Sequence, residues 1–407
     1  MFRGASIVTE NLNLDEILEL SYVSKVWHNE VIQLEPGVKA GLADEAAAVA
    51  YSSHNSTGVN KLHDQGIYGK GVIVGVVDTG IAYRHPALGG GFGPGFKVAA
   101  GYDFYGNGNG PPRVPDNDPD DQQGHGTHVA GIIAGKNSYW TGVAPEATLY
   151  AYKVFDQAAG TDTATLIDSF LKAYSDGVDI ISASIGGTNG WANNAWAEVA
   201  SRLVEEGVVV VISAGNSGAA GPVYGSSGSS GKNVLAVASI ETEVFPASPF
   251  QATFKLDGKS NTTTLGYLPS TDYFPPTVKD WPIVALNLDT TAAADGCTPY
   301  SAGTPRLDGK VALVRRGTCS FTIKQQNLAA IGAKYILIYN TPTGALVTPS
   351  TTDFNSLIAL ITAKAGEAIV NTIKAGGNVT ADFSVNPEQV VGLDYPAGGR
   401  PNVRGIS

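Results

Sequence analysis

The stretch Asp121-Gln-Gln-Gly-His-Gly-Thr-His-Val-Ala-Gly-Ile-Ile-Ala-Gly135 places two histidines directly before a run of small apolar residues. Gly124 and Gly126 flank His125, so the backbone can turn tightly there and bring the imidazole to a surface. From Thr127 onward, the Ala, Val, Ile and Gly composition predicts a buried helix. An imidazole at the mouth of a buried helix is well placed for acid-base chemistry. A helix start capped by Thr127 and a weak two-histidine metal site are the simpler alternatives.

Strands and helices alternate on both sides of this stretch, from residue 61 to about residue 243. Residues 72–77, 148–154 and 208–212 are apolar runs of strand length, and residues 163–174 carry apolar side chains at helical spacing. Apolar strands separated by helices predict an α/β fold in which a parallel sheet has helices on both faces. In such sheets the reactive groups collect at the carboxyl ends of the strands.

Two polar side chains follow predicted strands at that edge. Asp78 ends the first parallel strand, and Asn216 follows the strand of residues 208–212. A strand-terminal aspartate before Thr-Gly either simply caps a turn or places a carboxylate at the carboxyl edge of the sheet. A neutral amide such as that of Asn216 can donate a hydrogen bond to negative charge developing on an oxygen. One sheet edge is therefore predicted to hold a carboxylate, an imidazole and an amide donor.

The composition bounds the class of protein. A chain of 407 residues with 43% hydrophobic and 15% charged residues is globular and long enough for two or three domains. The net charge of -11 argues against a nucleic-acid partner, because there is no basic patch to neutralise phosphates. No apolar run approaches the roughly 18 to 20 residues of a membrane span. The first residues also lack the apolar segment of a signal peptide.

The cysteines and the acidic residues leave alternatives open. Cys297 and Cys319 form either one disulfide in an oxidising compartment or two free buried thiols, and we favour the disulfide. The acidic run 116–121 is either a solvated loop before the histidine or a calcium site, and we favour the loop. We expect no metal and no cofactor. Asn-x-Ser/Thr sequons, which suit a secreted glycoprotein, occur at Asn55, Asn261 and Asn378.

Composition divides the chain into five segments. Residues 1–36 are too few for an independent core and are expected to pack on another part of the chain. Residues 37–60 are predicted to be a mobile connection, and residues 61–243 the α/β domain. Residues 244–388 have short strands and turn residues typical of a second, smaller domain. Residues 389–407 are short and rich in Gly and Pro, and are predicted to build no element of their own.

Three motifs together resemble the signature segments of the subtilisin-like serine proteases. They are Val77-Asp-Thr-Gly-Ile81, Gly124-His-Gly-Thr-His-Val-Ala-Gly131 and Ala214-Gly-Asn-Ser217, in the order of that family. The resemblance implies an endopeptidase in which Asp78 orients His125, and His125 takes the proton of a serine nucleophile. It makes Asn216 the side-chain half of the oxyanion hole, and it gives His128 no catalytic role.

The resemblance extends to other parts of the chain. Residues 2–35 are similar to the end of an inhibitory pro-segment, and residues 244–388 to the protease-associated domain inserted in larger secreted members. It implies an extracellular monomer that acts on protein or peptide substrates. The residues implied to line the substrate groove and its primary specificity pocket are Ser184, Ile185 and Gly186 on one wall, and Ser213, Ala214 and Gly215 on the other.

One departure from the family pattern concerns the nucleophile. The family carries it in a Gly-Thr-Ser-x-Ala-x-Pro segment that opens a helix, and the sequence contains no such segment. Ser217, Ser229 and Ser407 lack both the helix start and the downstream Ala and Pro. We therefore expect the chain to be inactive by itself and to represent a gene model truncated at both ends. The alternative is a non-catalytic protein that binds peptides or regulates a partner.

Overall fold

The computed structural model describes residues 4–9, 12–34, 53–108, 113–137, 140–155, 160–221, 223–239, 244–270, 272–351, 355–385 and 391–394. These residues form two compact units. The first takes in the described residues of 1–37 and 58–240, and the second those of 38–57 and 241–401. Within the described ranges, no helix is both long enough and apolar enough to cross a bilayer.

The described residues build eight helices and sixteen strands. The helices are α1 (Leu14–Leu18), α2 (Ser53–Thr57), α3 (Val59–His63), α4 (His125–Ala134), α5 (Thr163–Ser175), α6 (Ala195–Glu205), α7 (Phe321–Ala330) and α8 (Ala363–Lys374). The strands are β1 (Val31–Gln33), β2 (Ile73–Asp78), β3 (Val98–Asp103), β4 (Thr148–Lys153), β5 (Gly160–Asp162), β6 (Ile180–Ala183), β7 (Val209–Ser213), β8 (Leu235–Val237), β9 (Val244–Leu256), β10 (Lys259–Pro269), β11 (Trp281–Ala285), β12 (Val311–Arg315), β13 (Tyr335–Tyr339), β14 (Leu357–Ile361), β15 (Asn378–Asp382) and β16 (Val391–Asp394).

The first unit is built on a six-stranded sheet of order β3-β4-β2-β6-β7-β8, and every pairing in it is parallel. Successive side chains of the central strand β2 point to opposite faces. Val76 packs in a cluster with Ala130 of α4. Val77 packs on the other face with Phe170 of α5 and Trp196 of α6. The predicted α/β class, a parallel sheet with helices on both faces, is confirmed.

The N-terminal segment lies against this unit. Strand β1 pairs antiparallel with β5, and Ile32 in its centre is only 3% exposed. The Trp27 indole donates a hydrogen bond to the Asn193 carbonyl at 2.8 Å. Lys25 forms an ion pair with Glu198 of α6 at 3.1 Å. The segment therefore obtains its buried contacts from the α/β unit, as a piece too short for its own core must.

The second unit contains an eight-stranded sheet of order β10-β14-β13-β12-β11-β15-β9-β16. Strands β11 to β14 are parallel neighbours, and β9 also pairs with β10, so that the hydrogen-bonded order closes on itself. Helix α8 packs through Ile369 on one face and α7 through Leu328 on the other. A disulfide joins Cys297, after β11, to Cys319, just before α7.

Four elements differ from the sequence prediction. Helix α4 begins at His125 rather than at Thr127, because Gly124 takes a left-handed φ of 107° and starts the helix two residues earlier. The predicted mobile connection, residues 37–60, contains helix α2 (residues 53–57) and the start of α3 (residues 59–63), while residues 37–52 lie outside the described residues. Strand β16 lies in the segment predicted to build no element; its residues pair antiparallel with β9 of the second unit.

Candidate active site

The site is organised by a hydrogen bond between Asp78 and His125. Asp78 ends β2 and is fully buried, and His125 is the first residue of α4. The imidazole Nδ1 lies 2.6 Å from Asp78 Oδ1, and the same oxygen accepts the Thr79 backbone N–H at 2.8 Å. Asp78 Oδ2 is buried and has no hydrogen-bond partner among the described residues. The carboxylate therefore presents one oxygen to the imidazole in a fixed geometry.

Close backbone packing brings the strand end and the helix start together. The Gly126 N–H donates to Thr79 Oγ1 at 2.8 Å. A Cβ atom added to Gly126 would lie 2.2 Å from the Gly80 carbonyl oxygen and 3.0 Å from the Asp78 Cβ. Any side chain at position 126 would push the helix away from β2, so the glycine after the histidine is required for the Asp78–His125 contact.

The surroundings shift the pKa values of both groups. The hydrogen bond that His125 donates to Asp78 raises the pKa of His125 above its ordinary value. The charges of Asp78 and Asp121 also raise it, whereas partial burial lowers it. Burial raises the pKa of the Asp78 carboxyl, and the hydrogen bond and charge of His125 oppose that rise. We assign the shared proton to the imidazole, because an ionised Asp78 Oδ1 is the acceptor that both N–H groups need. His125 is thus a base whose protonated form is stabilised.

His125 and Asn216 line the same cavity, which has a volume of about 490 Å³. Asn216 follows β7, so it stands at the carboxyl edge of the sheet, as Asp78 does. The other predicted groove residues that line this cavity are Ser184, Ile185, Gly186, Ser213 and Gly215. Ala214 is the exception. It makes backbone hydrogen bonds to Ser226 at 3.0 Å and to Val237 of β8 at 2.8 Å.

Ser226 was not predicted and joins the two walls of the groove. Its hydroxyl donates to the Ile185 carbonyl at 3.3 Å, and the Ser213 hydroxyl donates to the same carbonyl at 3.4 Å. A Cβ atom at Gly186 would lie 1.6 Å from Ser226 Oγ, so this contact depends on the glycine. Ser226 lies in the polar stretch 225–230, whose Ser and Gly residues gave no sequence signal beyond a turn.

The N-terminal segment also lines the cavity, through Val31, Ile32, Gln33 and Leu34. Phe155 and Tyr224 contribute aromatic walls that the sequence did not identify as site residues. A Cβ atom at Gly187 would lie 3.2 Å from the Ile32 side chain, which shows how closely the segment approaches the groove wall.

The remaining predicted residues lie elsewhere. His128 is exposed on α4. In the acidic run, the exposed Asp118 accepts the Tyr83 hydroxyl at 2.6 Å and Asp120 pairs with Arg84 at 2.5 Å, so these carboxylates also bind side chains. Within the described ranges, no group of three His, Cys, Asp or Glu side chains has a metal-binding arrangement.

Comparison with known proteins identifies the family. A model described as the subtilase family matches residues 69–366. Minor extracellular protease Vpr of Bacillus subtilis (strain 168) is 30% identical over 398 residues, which cover 96% of this chain and 46% of that protein. Thermostable alkaline protease of Halalkalibacterium halodurans is 34% identical over 253 residues, covering 58% of this chain and 63% of that protein.

Subtilisin E of Bacillus subtilis (strain 168) is 38% identical over 164 residues, covering 39% of this chain and 38% of that protein. The chain thus spans between 38% and 63% of the length of these three relatives. The family match extends over most of the chain and includes the strand that ends in Asp78, the helix that begins with His125 and the loop that carries Asn216. The chain belongs to the subtilase family.

Proposed function

We propose that this chain supplies the acid-base pair, the oxyanion donor and the substrate groove of a serine-type endopeptidase. The observation that carries the proposal is the 2.6 Å hydrogen bond between Asp78 Oδ1 and His125 Nδ1 beside the cavity that Asn216 lines. Membership of the subtilase family supports peptide-bond hydrolysis as the reaction. The substrates are proteins or peptides, and the reaction needs no cofactor.

Each of the three residues has a separate task in this reaction. Because Nδ1 of His125 donates to Asp78, the other ring nitrogen, Nε2, is left to accept the proton of a serine hydroxyl. Asp78 stays ionised and stabilises the imidazolium that forms. The Asn216 amide donates to the carbonyl oxygen of the scissile bond as that oxygen becomes negative, which is worth about 10²- to 10³-fold in turnover where such a donor has been removed. His125 then returns its proton to the leaving amine.

The nucleophile is the part that these residues do not supply. No Gly-Thr-Ser-x-Ala-x-Pro segment occurs in the 407 residues, so the proposed activity belongs to a polypeptide that also contains that serine. In subtilisin, the namesake of the family, removal of the serine costs about 10⁶-fold in kcat. We therefore expect no serine-reagent-sensitive turnover from the 407 residues alone.

We further propose roles for the two flanking parts of the chain. Residues 2–35 act as the end of an inhibitory pro-segment; the pairing of β1 with β5 and the burial of Ile32 support this role. Residues 244–388 are a protease-associated domain that influences substrate access. The protein is a secreted monomer; the word "extracellular" in the name of Minor extracellular protease Vpr supports secretion.

A second candidate function is peptide binding without catalysis. The observation that favours it is that the groove is lined by an extended segment, Val31 to Leu34, while the sequence holds no matching nucleophile. Such a protein would hold a peptide in the groove or mask a partner protease.

The experiment is to sequence the transcript across both ends of this reading frame and to assay its full product. The endopeptidase proposal expects a downstream Gly-Thr-Ser-x-Ala-x-Pro segment, and labelling of the product by a fluorophosphonate that a His125→Ala variant abolishes. A stop codon directly after Ser407, with a folded product that binds casein peptides and is not labelled, would overturn it in favour of the binding protein.

A further inference from the structure

Asp121 is the half-buried carboxylate that organises the approach to α4. Its Oδ1 accepts the backbone N–H groups of Gln123 and Gly124, each at 2.8 Å. Its Oδ2 accepts the Thr127 backbone N–H at 3.0 Å and also the Thr127 hydroxyl. Four donors from three residues, Gln123, Gly124 and Thr127, thus converge on one side chain, and His125 lies between the second and the third of them in the sequence.

The same network reaches the other half of the catalytic pair. Thr127 Oγ1, which donates to Asp121, accepts the Ala82 backbone N–H at 2.9 Å. Ala82 lies four residues after Asp78, in the loop that leaves β2. Asp121 therefore connects the start of α4 with the loop after β2. A shift of this carboxylate would move His125 relative to Asp78.

The charge of Asp121 is not neutralised by a cation among the described residues. The neighbouring Asp120 is paired with Arg84, whereas the hydrogen bonds to Asp121 come from N–H and O–H groups. Two charged groups act on His125, namely Asp78 from β2 and Asp121 from the turn before α4, and both raise its pKa. The imidazolium that forms during proton transfer is therefore stabilised by the charge of Asp121 as well as by that of Asp78.

We propose that Asp121 is a positioning residue for the acid-base step: it fixes the start of α4, so that His125 is presented to Asp78, and its charge stabilises the imidazolium. This inference rests on the proposed function. When the serine Oγ–H proton moves to His125 Nε2, positive charge appears on the ring, and the charges of Asp78 and Asp121 both stabilise it. Asp121 touches neither the proton nor the substrate.

The test is the substitution Asp121→Asn in the 407-residue chain, with Asp118→Asn as the matched control. Both variants remove one negative charge from the same loop, but Asp118 accepts the Tyr83 hydroxyl and does not contact α4. The pKa of His125 is measured by NMR titration of histidine-labelled protein, with a His125→Ala variant to identify the resonance. We expect Asp121→Asn to lower this pKa by roughly half a unit, as for a partly screened charge, and Asp118→Asn to change it by much less.

Salt provides a second measurement that does not depend on the fold of a variant. At about 1 M salt the Debye length is about 3 Å, so the contribution of the partly exposed Asp121 is screened, whereas that of the buried Asp78 is not. The pKa of His125 in the wild-type chain is expected to fall toward the Asp121→Asn value as salt is added. The same pKa in wild type and Asp121→Asn, together with no salt dependence, would overturn the proposal.

The NMR titration of His125 needs no nucleophile, so its result tests the role of Asp121 even if the proposed endopeptidase activity is wrong. In the full product, a positioning role predicts a lower kcat at unchanged KM for Asp121→Asn, and an acidic limb of the pH profile shifted to lower pH. A purely structural cap would lower the stability without shifting that limb, and this outcome would contradict the charge role of Asp121.

Discussion

Replacing Lys153 with methionine removes a buried cation next to the site. Lys153 ends β4, beside Asp78 in the register of the sheet, and is 2% exposed. Its Nζ lies 2.8 Å from Asp103 Oδ2 and 2.8 Å from Asn107 Oδ1. Asp103 is fully buried, and its other oxygen accepts two backbone N–H groups, each at 2.8 Å. Methionine keeps the length of the side chain, so the variant leaves Asp103 as a buried charge without its cation.

The magnitude follows from that geometry. Breaking one side of a buried ion pair costs about 3 to 5 kcal/mol, because the remaining charge is desolvated and uncompensated. In a unit of this size, 1 kcal/mol shifts Tm by about 2 to 4 °C, so the first unit is expected to melt roughly 6 to 20 °C lower. The double variant Lys153→Met, Asp103→Asn removes the orphaned charge and is expected to recover most of the loss.

The assay is urea unfolding of the wild type, the two single variants and the double variant, followed through the buried Trp196 of the first unit. The four free energies form a double-mutant cycle that isolates the coupling between Lys153 and Asp103. If the unfolding free energy of Lys153→Met lies within about 1 kcal/mol of the wild-type value, then Lys153 does not compensate a desolvated charge on Asp103 and the reasoning is wrong.

Three further predictions concern the pair, the segment and the disulfide. Asp78→Asn lowers the pKa of His125, which NMR titration measures. In the wild type, the raised pKa of His125 stabilises the fold at pH values below the unfolded pKa of about 6.5, and this stabilisation is lost as the pH rises through the folded pKa. The variant is expected to lack this pH-dependent stabilisation, which urea unfolding at several pH values measures. Ile32→Ala weakens the docking of β1 by about 2 kcal/mol or more, so hydrogen exchange of the β1 amides is expected to accelerate at least about 30-fold. Replacing Cys297 and Cys319, 22 residues apart, with serine lowers the unfolding free energy of the second unit by about 3 kcal/mol.

Each of these predictions has an outcome that would contradict it. An unchanged pKa of His125 in Asp78→Asn would mean that the 2.6 Å hydrogen bond does not hold the imidazolium. If the exchange rates of the β1 amides are unchanged in Ile32→Ala, the segment is held mainly by other contacts, those of Trp27 or Lys25. Equal stability of the second unit with and without the disulfide would show that its loop is already ordered without the link.

The fold class was predictable from the sequence because the central strands are continuous apolar runs. Strand β2 is buried on both faces, so its sequence is a continuous apolar run that predicts a strand without an alternation of apolar and polar residues. Strand β3 has the sequence Val-Ala-Ala-Gly-Tyr-Asp at the edge of the sheet, and β5 is three residues long, so neither has a strand pattern. Their places depend on pairing with distant parts of the chain, which periodicity does not report.

The site residues that stand in a sequence motif were predictable, whereas those that reach the site only through packing were not. Asp78, His125 and Asn216 stand in short motifs with turn residues, whereas Ser226 reaches the groove only through its contact with Gly186 and the Ile185 carbonyl. The interpretation of the acidic run as a solvated loop missed the hydrogen bonds of its carboxylates. Those bonds depend on where the run meets the loop after β2 and the start of α4.

Two buried carboxylates, at the ends of the strands on either side of β4, show how one sheet edge separates structure from chemistry. Asp78 and Asp103 are both fully buried, and each needs a cation to offset the loss of water. Asp103 has Lys153, which is itself only 2% exposed, so the pair is closed to solvent. Asp78 has His125, whose side chain is 24% exposed and whose imidazole is the kind of group that takes up and releases protons. The same electrostatic requirement is met by a lysine in one place and by a histidine in the other, and under the proposed function only the histidine passes a proton into the groove.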